Sequence, residues 1–415
     1  MRDAFANGAS RSVDDQSVVD AITYGPRALE LFRDVTPVRM WESIEASSNG
    51  LTRRLVPPQV ADVWDARSPR ELTTVVRATY LAALDRAVGK SGRVCVFAGG
   101  VDSCGALAGL RELKPATSVF ALTLVYDNEQ NGDVPYVAEL SRALGIEHVV
   151  VRARCETPEH ALIIDEMPGF VFADAERHAL EVAVDNGADV ALSATLGDLV
   201  FGGDLREFAF RPVLLAMRGL TANVPWHPRV RARARWWIDA RFPSVARWRS
   251  RPARWARPPL RRRWRECIAP VASSPRERLL NWCHSPDALG TAIYATAIAR
   301  GLPIRCVDVV ADDALLQLMA TIPIETLTCD QRYRGLFHRV IEPWVTKPIA
   351  ERRTKSSLGN DAIAKTPALR DLADARELEA RDLVNAADFR SAFDQASSLT
   401  PLWPVLSVEA WLRAQ

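Results

Sequence analysis

Lysine is scarce in this chain: 5 of its 53 basic residues are lysines and 48 are arginines. The bias is that of a G+C-rich genome, and it makes any single lysine a rarer choice than usual. Cysteine is sparse as well. Its seven positions (Cys95, Cys104, Cys155, Cys267, Cys283, Cys306 and Cys329) form no CxxC pair, which argues against a zinc ribbon or a disulfide framework and for reduced thiols in a cytoplasmic protein. No window reaches the roughly 18 uncharged apolar residues of a membrane span, and the first thirty residues contain no apolar block of a secretory signal. Nor does one sign of charge prevail: 53 basic against 51 acidic side chains give +2. With 48% hydrophobic and 25% charged residues, neither a polyelectrolyte nor a disordered chain fits. A length of 415 residues implies two or three domains with an ample core.

The first twenty residues are polar and small and read as a frayed terminus. Residues 21–45 read as short strands and turns punctuated by Gly25-Pro26 and Thr36-Pro37, and 51–68, with Pro57-Pro58, as a linker. Ser68, Pro69 and Glu71 then form a capping box opening a helix that ends near Gly89. Beyond it, apolar runs at 94–97, 120–126, 147–152 and 188–194 alternate with helical stretches at 103–113, 134–144 and 175–186. That alternation predicts an α/β fold with a doubly wound parallel sheet. After Asp204 strands become hard to find, and from Glu277 onward the text reads as helices joined by turns.

Phe97-Ala98-Gly99-Gly100-Val101-Asp102-Ser103 falls between the first strand and its helix, where open α/β sheets bind ligands. Paired glycines let the backbone approach an anion, and a helix N-terminus attracts phosphate. Ser103 adds a hydroxyl, and Asp102 can hold a magnesium ion against phosphate oxygens. Neither a GK[ST] ending nor a GxGxxG pattern is present, and a tight strand–helix turn with an incidental Asp is the plain alternative.

AGGVDS resembles the SGGxDS signature of pyrophosphatase-loop ATP enzymes, with Ala98 in place of the first Ser. Further segments resemble the asparagine synthetases among them. Asp133, Tyr136, Ala138, Leu144-Gly145 and His148 resemble a DE…A…LG..H stretch. Residues 193–203 resemble SGxGxDExFGG, and 309–313 with the following LLQLMATIP resemble a degraded PFLD…LP helix. Residues 333–359 resemble K.LLR…LP..I..R.K.GF. The resemblance implies a fold of the adenine nucleotide alpha hydrolase type with a largely helical C-terminal part. It implies ATP and Mg2+ as cofactors, with Ala98, Gly99, Gly100, Asp102, Ser103, Thr123, Thr195 and Gly197 around the nucleotide. Asp102 and Asp198 would hold metal, and Lys355 would stabilise the transition state. Thr195 stands where asparagine synthetases carry a catalytic Glu and β-lactam synthetases a Tyr, and it is a poor general base.

By the same resemblance the chain divides into a remnant of a glutaminase-like domain with linker (1–66), an ATP-binding core (67–204), an Arg/Trp-rich helical insertion (205–275) and a helical synthetase part (276–415). No Cys precedes Cys95, so glutamine-derived ammonia is not expected from this chain. Softer cues, namely Arg352-Arg353-Thr354-Lys355, Asp312-Asp313 and the ending VEAWLR, resemble the macrocyclases of lasso-peptide biosynthesis. The implied reaction is adenylation of an Asp or Glu side chain, on an amino acid or a precursor peptide, followed by attack of an amine. A leader-binding protein and a protease are the partners of such a system. An ammonia-using asparagine synthase or small-molecule amide synthetase, a tRNA-modifying enzyme and an ATP-binding pseudoenzyme are the alternatives. Between Arg229 and Arg265, fourteen arginines and five tryptophans meet a single acid, Asp239. The segment is either a surface for an acidic peptide or a peripheral membrane contact, or an amphipathic hairpin whose Trp face is packed. No RNA-binding motif accompanies it, which argues against nucleic acid.

Overall fold

The computed structural model describes residues 12–13, 15–24, 41–48, 50–115, 117–126, 132–153, 158–170, 172–202, 253–266, 272–283, 294–352, 365–397 and 399–415. Helix α1 (Asp15–Tyr24) is followed by a hairpin of β1 (Glu42–Ser47) and β2 (Gly50–Leu55), in which Glu42 pairs with Leu55. Strand β1 begins inside the stretch expected to hold short strands, whereas α1 and β2 depart from the sequence expectation. Val18, Val19, Ala21 and Ile22 are buried, a stripe at helical spacing that docks α1 in the core instead of leaving it frayed. The stretch expected as a linker supplies a strand, in which Ser47 of β1 pairs with Gly50 at φ 115°, a left-handed value that suits glycine.

Helix α2 (Pro69–Val88) opens on the expected capping box: Glu71 N–H donates to Ser68 Oγ and the Ser68 N–H to Glu71 Oε2. The core follows as β3 (Arg93–Phe97), α3 (Val101–Leu113), β4 (Ser118–Tyr126), α4 (Val134–Leu144), β5 (Glu147–Ala153), α5 (Ala173–Asp185), β6 (Val190–Ser193) and the one-turn α6 (Gly197–Val200). The C-terminal half contributes α7 (Pro258–Glu266), β7 (Arg305–Asp308), α8 (Asp313–Thr321), α9 (Gly335–Ile341), α10 (Arg376–Ala380) and α11 (Trp403–Arg413).

The main sheet has the order β5-β4-β3-β6-β7, and every neighbouring pair is parallel. This is the expected α/β architecture with one strand more. Strand β7 escaped the sequence because four residues of mixed polarity at a sheet edge carry no alternation long enough to read. Side chains alternate across β3: Val94 and Val96 join the cluster of α2, α3 and α9, while Cys95 joins Phe120, Ala179 and Ala183 under α5. Period-2 alternation thus covers both faces with helices. A second core gathers α1, Leu260 of α7 and Trp403, Leu406 and Trp411 of α11. Among the described residues no helix is long and apolar enough to cross a membrane. The described cysteines are free, and burial pushes the Cys104 thiol up to about 12.

Candidate active site

Strands β4 and β5 lie to one side of β3 and strands β6 and β7 to the other. The order therefore reverses at β3, and the crevice beyond the carboxyl ends of β3 and β6 is where such sheets bind ligands. The loop after β3 is built from within. Ala98 N–H donates to Leu122 O at 2.8 Å and extends the strand. Ser103 Oγ accepts from Gly99 N–H at 2.9 Å and lies 3.1 Å from Gly100 O, to which it donates. Thr123 Oγ1 donates to Ala98 O at 2.9 Å and sits 2.9 Å from His148 Nε2. Burial holds the His148 pKa below its ordinary value, so a neutral ring donates its Nε2–H to the Thr123 oxygen. A Cβ on Gly100 would meet nothing within 4 Å, so the loop is open there, beside the first turn of α3. Asp102 occupies that turn and is buried.

The loop after β6 is held from the neighbouring strand. Ser193 pairs with Asp308 in the β6–β7 register. The carboxylate of the half-buried Asp308 accepts from Thr195 N–H (2.7 Å), Leu196 N–H (3.2 Å), Ser193 Oγ (3.2 Å) and Val310 N–H (2.9 Å). Burial nevertheless raises its pKa. The loop delivers Gly197 onto Asp102, where an added Cβ would stand 2.5 Å from the Asp102 Cγ. Glycine is needed because the two loops touch. Asp198 follows in the first turn of α6, whose N-cap is Leu196, so the carboxylate is not spent on capping.

Two arginines from the C-terminal half, Arg334 and Arg352, reach these loops, and a third, Arg332, braces Arg352. Arg334 donates from Nη1 to Asp102 Oδ2 and from Nη2 to Asp198 Oδ1, one guanidinium bracketed by two carboxylates. Tyr333 Oη donates to Asp198 O at 2.8 Å, and its ring fills the space over Gly202 that a Cβ would need. Arg352 donates to Asp133 Oδ1 and, at 3.1 Å, to Gly99 O, and its guanidinium lies 4.3 Å from the Tyr136 ring centroid. Arg332 Nη2 donates to Arg352 O at 2.6 Å. Beneath them Phe201 stacks on Phe337 at 3.8 Å, and Tyr80 meets both rings edge-on. Burial and the charges of Asp102 and Asp308 push the Tyr80 phenol pKa well up, so it stays protonated.

The structure thus gathers Ala98, Gly99, Gly100, Asp102, Ser103, Thr123, Gly197 and Asp198, with Thr195 exposed at the rim. Lys355 lies outside the described residues. The sequence patterns do not single out Tyr80, Asp308, Arg332 or Arg334, although the last two fall in or beside a segment that resembles a synthetase motif, and they mark Arg352 only as part of the Arg352–Lys355 stretch. The remaining cues serve the fold. Asp312 caps α8 through Leu315 N–H and pairs with Arg86, and Asp313 accepts from Trp41 Nε1. Glu409 of the VEAWLR ending is buried, accepts from Glu377 and Leu378 N–H and pairs with Arg413. Of the Arg/Trp segment, residues 229–252 lie outside the described residues. In the remainder Trp255 is buried against Phe389, Arg261 donates to Ala256 O and Arg263 pairs with Asp20, as a packed helical face requires.

Among the described residues no cluster of three or more His, Cys, Asp or Glu side chains could enclose a metal. The donor set of Asp102 and Asp198 suits a magnesium ion instead, which takes one or two carboxylates and completes its shell with phosphate oxygens and water. That the pair already brackets a cationic group shows that it can share a positive charge.

A family model described as asparagine synthase matches residues 76–413. No curated protein matches the chain. Among solved structures it is similar to the U34-tRNA thiolase NcsA from Methanococcus maripaludis with its 4Fe-4S cluster, at 11% identity and a TM-score of 0.26, covering 55% of this chain and 80% of that one.

Proposed function

The chain belongs to the asparagine synthase family, and from that premise we propose that it is an ATP-dependent ligase that joins a carboxylate to an amine. The observation that carries the reading is the meeting of Asp102 and Asp198 around one positive charge, beside the glycine loop at the sheet's switch point. A carboxylate oxygen of the substrate attacks the α-phosphorus of ATP and pyrophosphate leaves. The amine then attacks the acyl-adenylate carbonyl, AMP departs and the amine's proton passes to solvent. Magnesium held by Asp102 and Asp198 would neutralise the phosphate oxygens during the first step. Gly99, Gly100, Ser103 and the first turn of α3 hold the phosphates. Preorganised donors of this kind contribute about 3–4 kcal/mol each to the transition state. Arg352 donates to Gly99 O, and the family resemblance gives Lys355, three residues further along the sequence, the role of stabilising the charge that builds on the phosphates. Thr195 can donate or accept a hydrogen bond but takes no proton at neutral pH.

As the specialised reaction we favour macrolactam formation on a lasso-type peptide, in which the folded precursor brings its own amine to the activated side chain. Its support is the resemblance of the Arg352–Lys355 stretch, since Asp312, Asp313 and Glu409 serve the fold. Asparagine formation from free ammonia is the other outcome. Pyrophosphate release from Mg-ATP, measured with aspartate, glutamate and synthetic precursor peptides, separates them. Peptide-stimulated release lost in Asp102→Ala and Lys355→Ala is expected. Release stimulated by free aspartate alone would name the simpler enzyme, and no release with any carboxylate would end the ligase reading.

A further inference from the structure

Arg334 has no part in the chemistry so far, yet it occupies the centre of the site. Its side chain and that of Asp102 are each 11% exposed, whereas Asp198 is 41% exposed. The guanidinium is therefore sealed on the Asp102 side and reachable from the Asp198 side. The backbone that presents it is unusual. Arg334 has φ 60° and ψ 30°, and Asp330 has φ 57°, two non-glycine residues in the left-handed region within five positions. Such conformations persist where the surroundings over-determine them and cluster at functional sites. Here the surroundings are visible. Gly335 sits so tightly on the turn that a Cβ would stand 1.8 Å from Cys329 O. Asp330 pairs with Arg339, Arg332 donates to the carbonyls of Ala350 and Arg352, and Tyr333 Oη donates to Asp198 O. The turn holds Arg334 in place against the carboxylates.

We propose that Arg334 is the resident cation of this site and gates it, so that a divalent metal enters only together with the nucleotide. The proposal rests on Asp102 and Asp198 being the metal carboxylates of the ligase reading. The Arg334 guanidinium offsets one of the two carboxylate charges it bridges. A bare divalent ion arriving beside the guanidinium would face a like charge at close range, with only those two carboxylates to share. Metal–ATP changes the balance, because the triphosphate brings its own negative charge and offers oxygens that an arginine fork pairs with well. The Asp198 arm, being the exposed one, is the first to yield. The chain would then bind metal only weakly without substrate, and Arg334 would pass from the carboxylates to the phosphates as the nucleotide is seated.

The test is a titration of the full chain with Mn2+, followed by electron paramagnetic resonance, with and without α,β-methylene-ATP. Wild-type protein is expected to bind Mn2+ weakly alone and tightly with the analogue. Arg334→Gly suits the left-handed backbone and Arg334→Gln keeps the side-chain length. Both are expected to bind Mn2+ without nucleotide at least about tenfold more tightly than wild type, or about 1.4 kcal/mol. Arg334→Lys, which keeps the charge, should stay near wild type. Wild-type Mn2+ binding that is as tight without the analogue as with it overturns the gate. So do folded Gly and Gln variants with unchanged affinity, or variants that fail to fold, since Arg334 would then be a structural brace. Failure of the underlying site assignment looks different: Asp102→Asn would leave analogue-dependent Mn2+ binding intact.

Discussion

Arg352 shows how much one side chain is asked to do here. Its side chain is 3% exposed and that of Asp133 is 10%, and its fork also reaches Gly99 O while its face lies over Tyr136. Removing one member of a buried pair costs about 3–5 kcal/mol, because the other charge stays behind without its partner. Arg352→Ala should therefore lower the unfolding free energy by that order in urea titrations. Arg352→Lys restores the charge but not the fork, and a point charge cannot serve a carboxylate and a carbonyl in two directions at once. It should recover part of the stability and little of the nucleotide affinity. An Arg352→Ala variant as stable as wild type would mean that the pair is not held as described.

The strands and their loops divide the work differently. Strand β7 is short and lies at the sheet edge, yet its last residue fixes the loop that carries Gly197 and Asp198. Asp308→Asn can present one oxygen to Ser193 Oγ and the N–H groups of Thr195 and Leu196, and it forfeits the Val310 N–H. Asp308→Ala leaves all four donors without an acceptor. The expected losses are about 1 kcal/mol for Asn and on the order of 3 kcal/mol for Ala, with nucleotide affinity falling in the same order. Equal losses would show that the carboxylate is not organising the loop.

This division also explains what could be read in advance. Strands β3 to β6, their helices and the glycine loop are signalled by local patterns: buried apolar runs, a capping box and paired glycines. Asp133, Tyr136 and His148 stand out only as a motif, and the structure gives each a partner in Arg352 or Thr123. What stayed hidden depends on contacts distant in sequence. Asp308 is an ordinary acidic residue until its strand lies beside Ser193, and Arg334 is one of 48 arginines until the left-handed turn aims it at Asp102. Helix α1 lacked an apolar stripe long enough to outweigh its polar, small-residue setting.

The two halves of the chain meet across the site. Carboxylates come from the sheet loops (Asp102, Asp133 and Asp198) and guanidinium groups from beyond residue 330 (Arg332, Arg334 and Arg352). The site therefore exists only when the whole assembly is folded, and its electrostatics bear on global stability. His338 is the titratable side chain through which this is measurable. It is 7% exposed on α9, and burial, with Arg332 and Arg334 nearby, holds its pKa down to about 3 from an ordinary 6.5. Between those values the unfolded chain binds a proton that the folded chain refuses. The stability this residue contributes is therefore complete above pH 6.5 and is lost as pH falls, by up to about 1.4 kcal/mol per unit. Comparing pH 7 with pH 5.5 keeps most carboxylates ionised and isolates the imidazole. Wild-type protein should lose about 1 kcal/mol more than His338→Gln over that interval in urea unfolding, because an amide does not titrate. Equal losses would place His338 in contact with water, and the ring would then not be the buried neutral neighbour of Arg332 and Arg334 that the packing of α9 requires.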